Sequence, residues 1–190
     1  MKTKRILSSL RTCLVLTILV YPSIVAAQGN SPSSPAPAGK PFLTMIECGE
    51  GYTSQELYDM KITLVEVLRG KRAWDRLKGA SPSNNPPKTG FDYILVRVKL
   101  EFSARGSRRE CSFELRPEQF TALSADGREY ENPTVVPPKP GLSGELRSGA
   151  SFEGWRAFLV QQGDSKPLMT FDPASGGGMS RGKIIWFQLY

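Results

Sequence analysis

Carboxylates are the side chains that could carry out acid–base chemistry in this 190-residue chain, because the sequence contains no histidine. Without imidazole there can be no Ser-His-Asp triad, no Cys-His pair and no His-ligated zinc or haem. A glycosidase would need two carboxylates held at a fixed separation around a sugar. Glu101 and Glu114 lie on predicted strands, but no spacing in the sequence pairs any two carboxylates. We therefore predict that the protein is not an enzyme and uses no cofactor.

Two motifs could suggest ligand binding but lack the residues that a ligand would require. Gly176-Gly177-Gly178 would cradle a phosphate only if it led into a helix with Lys and Ser/Thr at set positions, and a strand pattern follows instead. Asp126-Gly127 supplies one carboxylate, whereas Ca²⁺ takes about six to eight oxygen ligands. The first motif predicts a hairpin loop and the second a hairpin turn, so we predict no metal site.

A basic cluster lies between two predicted strands and consists of Arg105, Arg108 and Arg109. At a hairpin tip it could contact an anionic partner such as a wall polymer, a lipid headgroup or an acidic protein. The alternative is a solvated turn whose charges discourage edge-to-edge pairing of sheets.

The three tryptophans could line a sugar-binding platform or pack in the core. Trp74 falls in a helical pattern and Trp186 in a strand that is apolar on both faces, so core packing is the default for both. Trp155 has the opposite parity to Phe158 and Val160. It could therefore face solvent and contribute to binding, unless the second sheet covers it.

The first 27 residues have the three parts of a secretory signal peptide. Basic residues precede an uncharged apolar run from Thr12 to Tyr21, and Val25-Ala26-Ala27 offers small residues for signal peptidase. The run is short for a membrane span, and an uncleaved anchor is the alternative interpretation. We predict cleavage after Ala27, a secreted or periplasmic protein, and no stable membrane span after cleavage.

Loss of the leader changes the charge of the chain. The full sequence carries 25 basic and 18 acidic residues, for a net charge of +7. Four of the basic residues and none of the acidic ones lie in the leader, which leaves a net charge of +3. This balance is ordinary for a folded domain, so a nucleic-acid partner is not predicted.

Cleavage also leaves an even number of cysteines. Cys13 is lost with the leader, whereas Cys48 and Cys111 remain. An even pair in an exported chain predicts a disulfide, and no close Cys-x-x-Cys motif suggests a redox role.

Residues 28–39 contain no large apolar side chain and are rich in Pro, Ser and Gly. Such a segment cannot bury enough apolar surface to offset the entropy of ordering, so we predict a disordered tether followed by a domain at 40–190.

The domain alternates mostly with period two, which predicts about eight short strands of an antiparallel β-sandwich. In the clearest strand, Phe91–Phe102, one face carries Arg97, Lys99 and Glu101, and the other carries the alternating apolar residues Ile94, Val96, Val98, Leu100 and Phe102. The parity changes within Lys61–Leu68, which predicts a bulge or a strand covered on both faces. Arg72–Lys78 has helical spacing and predicts one short connector helix.

Several of these segments together carry a resemblance to a known family. They are Val65-x-Val67-Leu68-Arg69-Gly70-x-x-Ala73-Trp74, Asn85-Pro86-Pro87-x-x-Gly90-x-x-Tyr93-Ile94-Leu95-Val96-x-Val98, Asp126-Gly127-x-x-Tyr130, Leu146-x-x-Gly149-x-x-x-x-Gly154-Trp155-x-x-Phe158-x-Val160 and Ile185-Trp186-Phe187-x-Leu189.

Over roughly 40–190 the chain resembles the telokin-like domain-of-unknown-function family of bacterial exported proteins and lipoproteins. The resemblance implies an immunoglobulin-like β-sandwich, similar in fold to a mycobacterial secreted immunoprotective antigen, and an exported location. It implies no reaction. The chain departs from the family pattern at the basic insert Ser103–Glu110 and at Gly176-Gly177-Gly178.

Three functions remain open from the sequence. The first is a non-catalytic module that binds an envelope or extracellular protein through a sheet face or an exposed edge. The second is binding of an envelope polysaccharide or another anionic surface through the Arg105–Arg109 tip. The third and least favoured is a carboxylate-dependent hydrolase.

Overall fold

The computed structural model describes residues 28–49, 55–106 and 111–190. Within them the chain is an all-β, sandwich-like fold with one α-helix, which confirms the predicted fold class. The predicted signal peptide, residues 1–27, lies outside the described residues, and so do Arg108 and Arg109.

The elements follow one another from residue 41 to residue 188. They are β1 (Pro41–Cys48), β2 (Glu56–Arg69), α1 (Lys71–Ala80), β3 (Phe91–Ala104), β4 (Ser112–Leu115), β5 (Phe120–Leu123), β6 (Gly144–Arg147), β7 (Ser151–Gln161), β8 (Leu168–Phe171), β9 (Arg181–Gly182) and β10 (Ile185–Gln188). The patterns did not predict β6 or β9. The predicted Asp126-Gly127 turn is confirmed, since Gly127 has a φ of 86° and its N–H donates to the carbonyl of Ser124.

A five-stranded antiparallel sheet forms one layer of the sandwich, in the order β7-β3-β2-β1-β9. A three-stranded sheet, β10-β8-β5, and a two-stranded sheet, β4-β6, form the other layer. The main core lies between them. Val98 of the large sheet, Phe171 of the second and Phe113 of the third belong to one buried cluster.

Strand β3 shows how the sequence pattern specifies the core. Its inward residues, which alternate from Ile94 to Phe102, are all buried in the main cluster. On the outer face, Arg97, Lys99 and Glu101 are partly exposed, as predicted. This alternation is what an antiparallel sheet with one dry and one wet face requires.

The outer face of the sheet is covered by α1 at one end. Ala73 and Leu77 of the helix pack on Leu68 of β2 and on Tyr93 and Leu95 of β3 in a second buried cluster. The predicted bulge in β2 is confirmed, because Leu64 pairs with Val98 and Glu66 already pairs with Arg97. Val65 is therefore the extra residue in the ladder.

The segment 28–39 is packed on the domain, which does not match the prediction of a disordered tether. The N–H of Ala36 donates to the carbonyl of Trp186, and the N–H of Gln188 donates to the carbonyl of Ala36, at 2.7 and 2.9 Å. Ala36 is 3% exposed and belongs to the main core. Gly29 is also buried, with a φ of 87° and the ring of Phe42 against it. Backbone hydrogen bonds to β10 thus order a segment that has few apolar side chains.

The disulfide between Cys48 and Cys111 is present and confirms that prediction. It joins the end of β1 to the start of β4, with Cα atoms 6.0 Å apart and a sequence separation of 63 residues. The bond therefore ties the large sheet to the opposite layer of the sandwich.

Replacing Ala36 by Asp should destabilise the domain, because it places a carboxylate in the apolar core, with no basic side chain in the described part of that core to neutralise it. We expect the free energy of unfolding to fall by at least about 3 kcal/mol in a urea titration. Ala38→Asp is the matched control, since Ala38 is exposed two residues away and should cost little. Equal stability of both variants and the wild type would show that residues 28–39 are a tether.

Removing the disulfide should destabilise the leader-free chain by up to about 4 kcal/mol, because the unfolded chain gains the entropy of a 63-residue loop. Denaturant titration of the Cys48→Ala/Cys111→Ala double variant against the oxidised wild type measures this. Thiol labelling under denaturing, non-reducing conditions is the control. Two reactive thiols in protein purified from an oxidising compartment would contradict the bond.

Candidate functional site

The exposed apolar surface is concentrated at one corner of the large sheet. Of the seven large apolar side chains that are exposed in the described residues, five lie on β1, on β2 or beside β9. They are Leu43, Met45, Leu57, Met179 and Ile184. Scattered apolar side chains are normal on a protein surface, whereas a local concentration marks a candidate binding surface.

A groove of about 740 Å³ runs across this corner on the outer face of β1 and β2. Its floor contains Leu43, Met45 and Leu57, which are 65%, 48% and 45% exposed. The register explains their proximity, because Met45 pairs with Asp59 and Glu47 pairs with Leu57. Leu57 is therefore the diagonal neighbour of Met45 across the two strands, within reach of a long side chain.

Basic side chains flank the apolar floor on both sides. Arg105 follows β3, and its guanidinium reaches back over β1, where Nη1 contacts Sδ of Met45. Its Nε lies 3.9 Å from a carboxylate oxygen of Asp59. Arg181 and Lys183, in and just after β9, line the other side. The structure thus brings Arg105 of the predicted basic tip together with an exposed sheet face in one candidate site.

Trp155 is not on this surface, so its prediction as a solvent-facing binding residue is wrong. It is 6% exposed and belongs to the cluster beneath α1. The guanidinium carbons of Arg76 and Arg97 lie 5.4 and 5.5 Å from its ring centroid. The physical reason is that β7 is covered on both faces. Phe158 faces the main core, and Trp155, on the opposite face of the strand, is buried in the cluster beneath α1.

The floor residues were missed by the sequence reasoning, although a signal for them exists. In Phe42–Glu47, Leu43 and Met45 are apolar at the parity opposite to Phe42 and Ile46. An edge region with apolar residues on both faces needs either a cover or a partner, and the described structure leaves the outer pair exposed. Arg105 was found because its neighbours are also basic.

The carboxylates considered for acid–base chemistry lie beside cations. Lys61 hydrogen-bonds to Glu101 at 2.9 Å and, with Lys99, lowers the pKa of that carboxyl. A hydrogen bond from Arg116 likewise lowers the pKa of Glu114. A general acid needs the opposite shift, because it must hold its proton near neutral pH.

The Asp126-Gly127 turn and the Gly176-Gly177-Gly178 loop are both held by hydrogen bonds within the fold. A hydrogen bond from the Ser124 hydroxyl, with help from Arg128, lowers the pKa of Asp126 in the hairpin turn. Gly176 has a φ of 83°, and its carbonyl accepts from the Arg116 guanidinium. In the described part of the chain, no three acidic or cysteine side chains are grouped to hold a metal ion.

A smaller cleft of about 220 Å³ lies at the other end of β3 and includes Lys88, Phe91 and Tyr130. The Tyr130 hydroxyl donates to Oδ2 of Asp164 at 2.8 Å. Burial, together with this hydrogen bond to a carboxylate, raises the pKa of Tyr130 to about 12. This hydrogen bond fastens the β7–β8 turn to the chain after β5.

Comparison with known proteins gives little beyond this geometry. No protein-family model and no curated protein matches the chain. Among solved structures, it is similar to YcdA of Bacillus subtilis, which is named as a lipoprotein, at 14% identity and a TM-score of 0.48. That alignment covers 68% of this chain and 35% of the other, so the chain spans about a third of YcdA. YjhA of Bacillus subtilis aligns at 12% identity and a TM-score of 0.44, over 73% of this chain and 81% of the other.

Similarity at this level assigns neither a family nor a function. The helix found in the described residues lacks the length and apolar character that would be needed to cross a membrane.

The raised pKa of Tyr130 predicts how stability changes at alkaline pH. Because the folded state holds the proton more tightly than the unfolded state, its stabilising contribution is complete below pH 10 and is lost as the pH rises towards about 12. Tyr130→Phe should flatten this part of the curve of unfolding free energy against pH. A variant curve that runs parallel to the wild-type curve between pH 10 and 12 would contradict the assignment.

Proposed function

We propose that this protein is an exported, non-catalytic interaction module that binds a protein partner through the groove on β1 and β2. The observation that supports this most strongly is the placement of three exposed apolar side chains on one sheet face, between Arg105 on one flank and Lys183 on the other. Protein interfaces combine an apolar centre with a polar, charged rim in this way.

The surroundings of the groove make it a firm surface. Its floor consists of paired strands rather than loops. The register of β1 with β2 is continuous, and the register of β2 with β3 is continuous up to Leu64, ahead of the bulge. The disulfide at Cys48 fastens the end of β1. A site on rigid elements loses little conformational entropy when a partner binds.

Export is part of the proposal and rests on the sequence. The three-part leader predicts secretion, and a disulfide is characteristic of proteins outside the cytosol. The proposed export covers both the periplasm and the medium, because proteins of either location need the same leader.

Site-specific photo-crosslinking tests the proposed function. Benzoylphenylalanine at Leu43 should give a crosslinked partner from the envelope of the producing cell, whereas the same residue at Val136 should not. Val136 is the matched control, because it is 50% exposed and apolar but lies outside the groove. A second substitution, Met45→Lys, should reduce the Leu43 crosslink at least fivefold, since it places a charge on the apolar floor.

The result also separates the protein partner from an anionic polysaccharide. If positions 43 and 136 crosslink equally, the groove is not the binding site. If no protein is recovered and the chain instead binds immobilised anionic polysaccharide through Arg105, as judged by loss in Arg105→Ala, the basic tip is the functional feature and the proposal is wrong.

A further inference from the structure

The floor of the groove has the spacing of an extended chain. Leu43 and Met45 are alternate residues of β1 on the same face, so their side chains are about 7 Å apart along the strand. A partner segment that lies along β1 in an extended conformation repeats its side chains at the same interval. The alternate side chains of such a segment can therefore pack between the exposed side chains of the floor.

The charged flanks favour one sign of partner charge. Both carboxylates of the lining already have a basic neighbour, because Asp59 lies 3.9 Å from Arg105 and Glu47 is the cross-strand register partner of Arg181 in the β1–β9 ladder. No ion pair joins Lys183 to another residue in the part of the chain that the structure describes. A basic partner would meet Arg105 and Lys183, whereas an acidic one gives Lys183 a counter-charge and offers Arg105 a closer carboxylate than Asp59.

We propose that the groove binds an extended acidic peptide segment in which apolar and carboxylate residues alternate. This inference rests on the proposed function and specifies the chemistry of its partner. Apolar residues of the segment contact Leu43, Met45 and Leu57. Its carboxylates point away from the floor, and the long side chains of Arg105 on the β3 side and Lys183 on the β9 side extend up to meet them.

Four synthetic decapeptides test the two parts of this recognition separately. They alternate Leu with Asp, Leu with Lys, Leu with Ser, and Gly with Asp. Binding is followed by NMR in protein with labelled methionine methyl groups, because Met45 lies on the floor while Met60 and Met169 are fully buried and serve as internal references. The Leu-Asp peptide should bind at least tenfold more tightly than the Leu-Lys and Gly-Asp peptides, with the Leu-Ser peptide between them.

Charge reversal in the protein gives the matching test. Arg105→Glu and Lys183→Glu should each weaken the Leu-Asp peptide at least fivefold, and Arg105→Glu should strengthen the Leu-Lys peptide. Lys166→Glu makes the same change in charge in the turn after β7, which pairs with the opposite end of β3, and should leave both affinities unchanged. Circular dichroism checks that each variant is folded.

The outcomes distinguish this inference from the function on which it rests. If wild type and Arg105→Glu bind the Leu-Asp peptide equally, or if the Leu-Lys peptide binds more tightly, the acidic preference is wrong. If Leu43 crosslinks a protein partner while none of the peptides shifts Met45, the groove binds a folded surface and the extended-peptide inference is overturned. If crosslinking and peptide binding both fail, both proposals fail.

Discussion

Helix α1 covers the outer face of the large sheet, and its length limits how much of that face it can bury. Its ten residues rise about 15 Å, whereas the 14 residues of β2 or β3 span about 46 Å. Tyr93 and Leu95 therefore lie under the helix, while Lys99 and Glu101 farther along β3 meet solvent. The groove is a consequence of this mismatch, since it lies on the part of the face that the helix does not reach.

The bulge at Val65 allows β2 to contribute apolar side chains to the main core before the bulge and to the cluster beneath α1 after it. Without the extra residue, Glu66 would share the inward parity of Ile62 and Leu64 and would place a carboxylate in the core. With it, Glu66 faces outward and forms an ion pair with Arg97 at 3.3 Å, and Leu68 reaches the cluster beneath α1. A buried, unpaired carboxylate would cost several kcal/mol, so the bulge is strongly favoured by this sequence.

The parts of the fold that the sequence predicts are those in which side-chain pattern and backbone geometry agree. The alternation in β3, the parity change in β2 and the short helix after Gly70 all belong to this group. The packing of residues 28–39 on the domain was not predicted, because backbone hydrogen bonds between Ala36 and β10 hold this segment. Backbone hydrogen bonds produce no hydropathy pattern in the sequence. A two-residue strand such as β9 is likewise too short to produce a period.

The candidate site was only half predictable, for a related physical reason. Arg105 is conspicuous because charges cluster around it in the sequence. Leu43 and Met45 read as ordinary strand residues until the sheet order shows that β1 lies near an edge, beyond the reach of α1. The exposure of a side chain depends on the tertiary structure. Trp155 is the opposite case to Leu43 and Met45, because its parity suggested contact with solvent but the cluster beneath α1 buries it.

The composition of the groove also sets the strength of binding it can support. Covering the exposed half of three apolar side chains contributes about 3 kcal/mol, and each exposed ion pair adds about 0.2–1 kcal/mol. The sum is comparable to the roughly 4 kcal/mol of a millimolar complex, before the entropic cost of association is subtracted. The groove alone therefore supports transient contacts. A lasting complex requires a partner that is held close by, because a high local concentration replaces the missing contact energy.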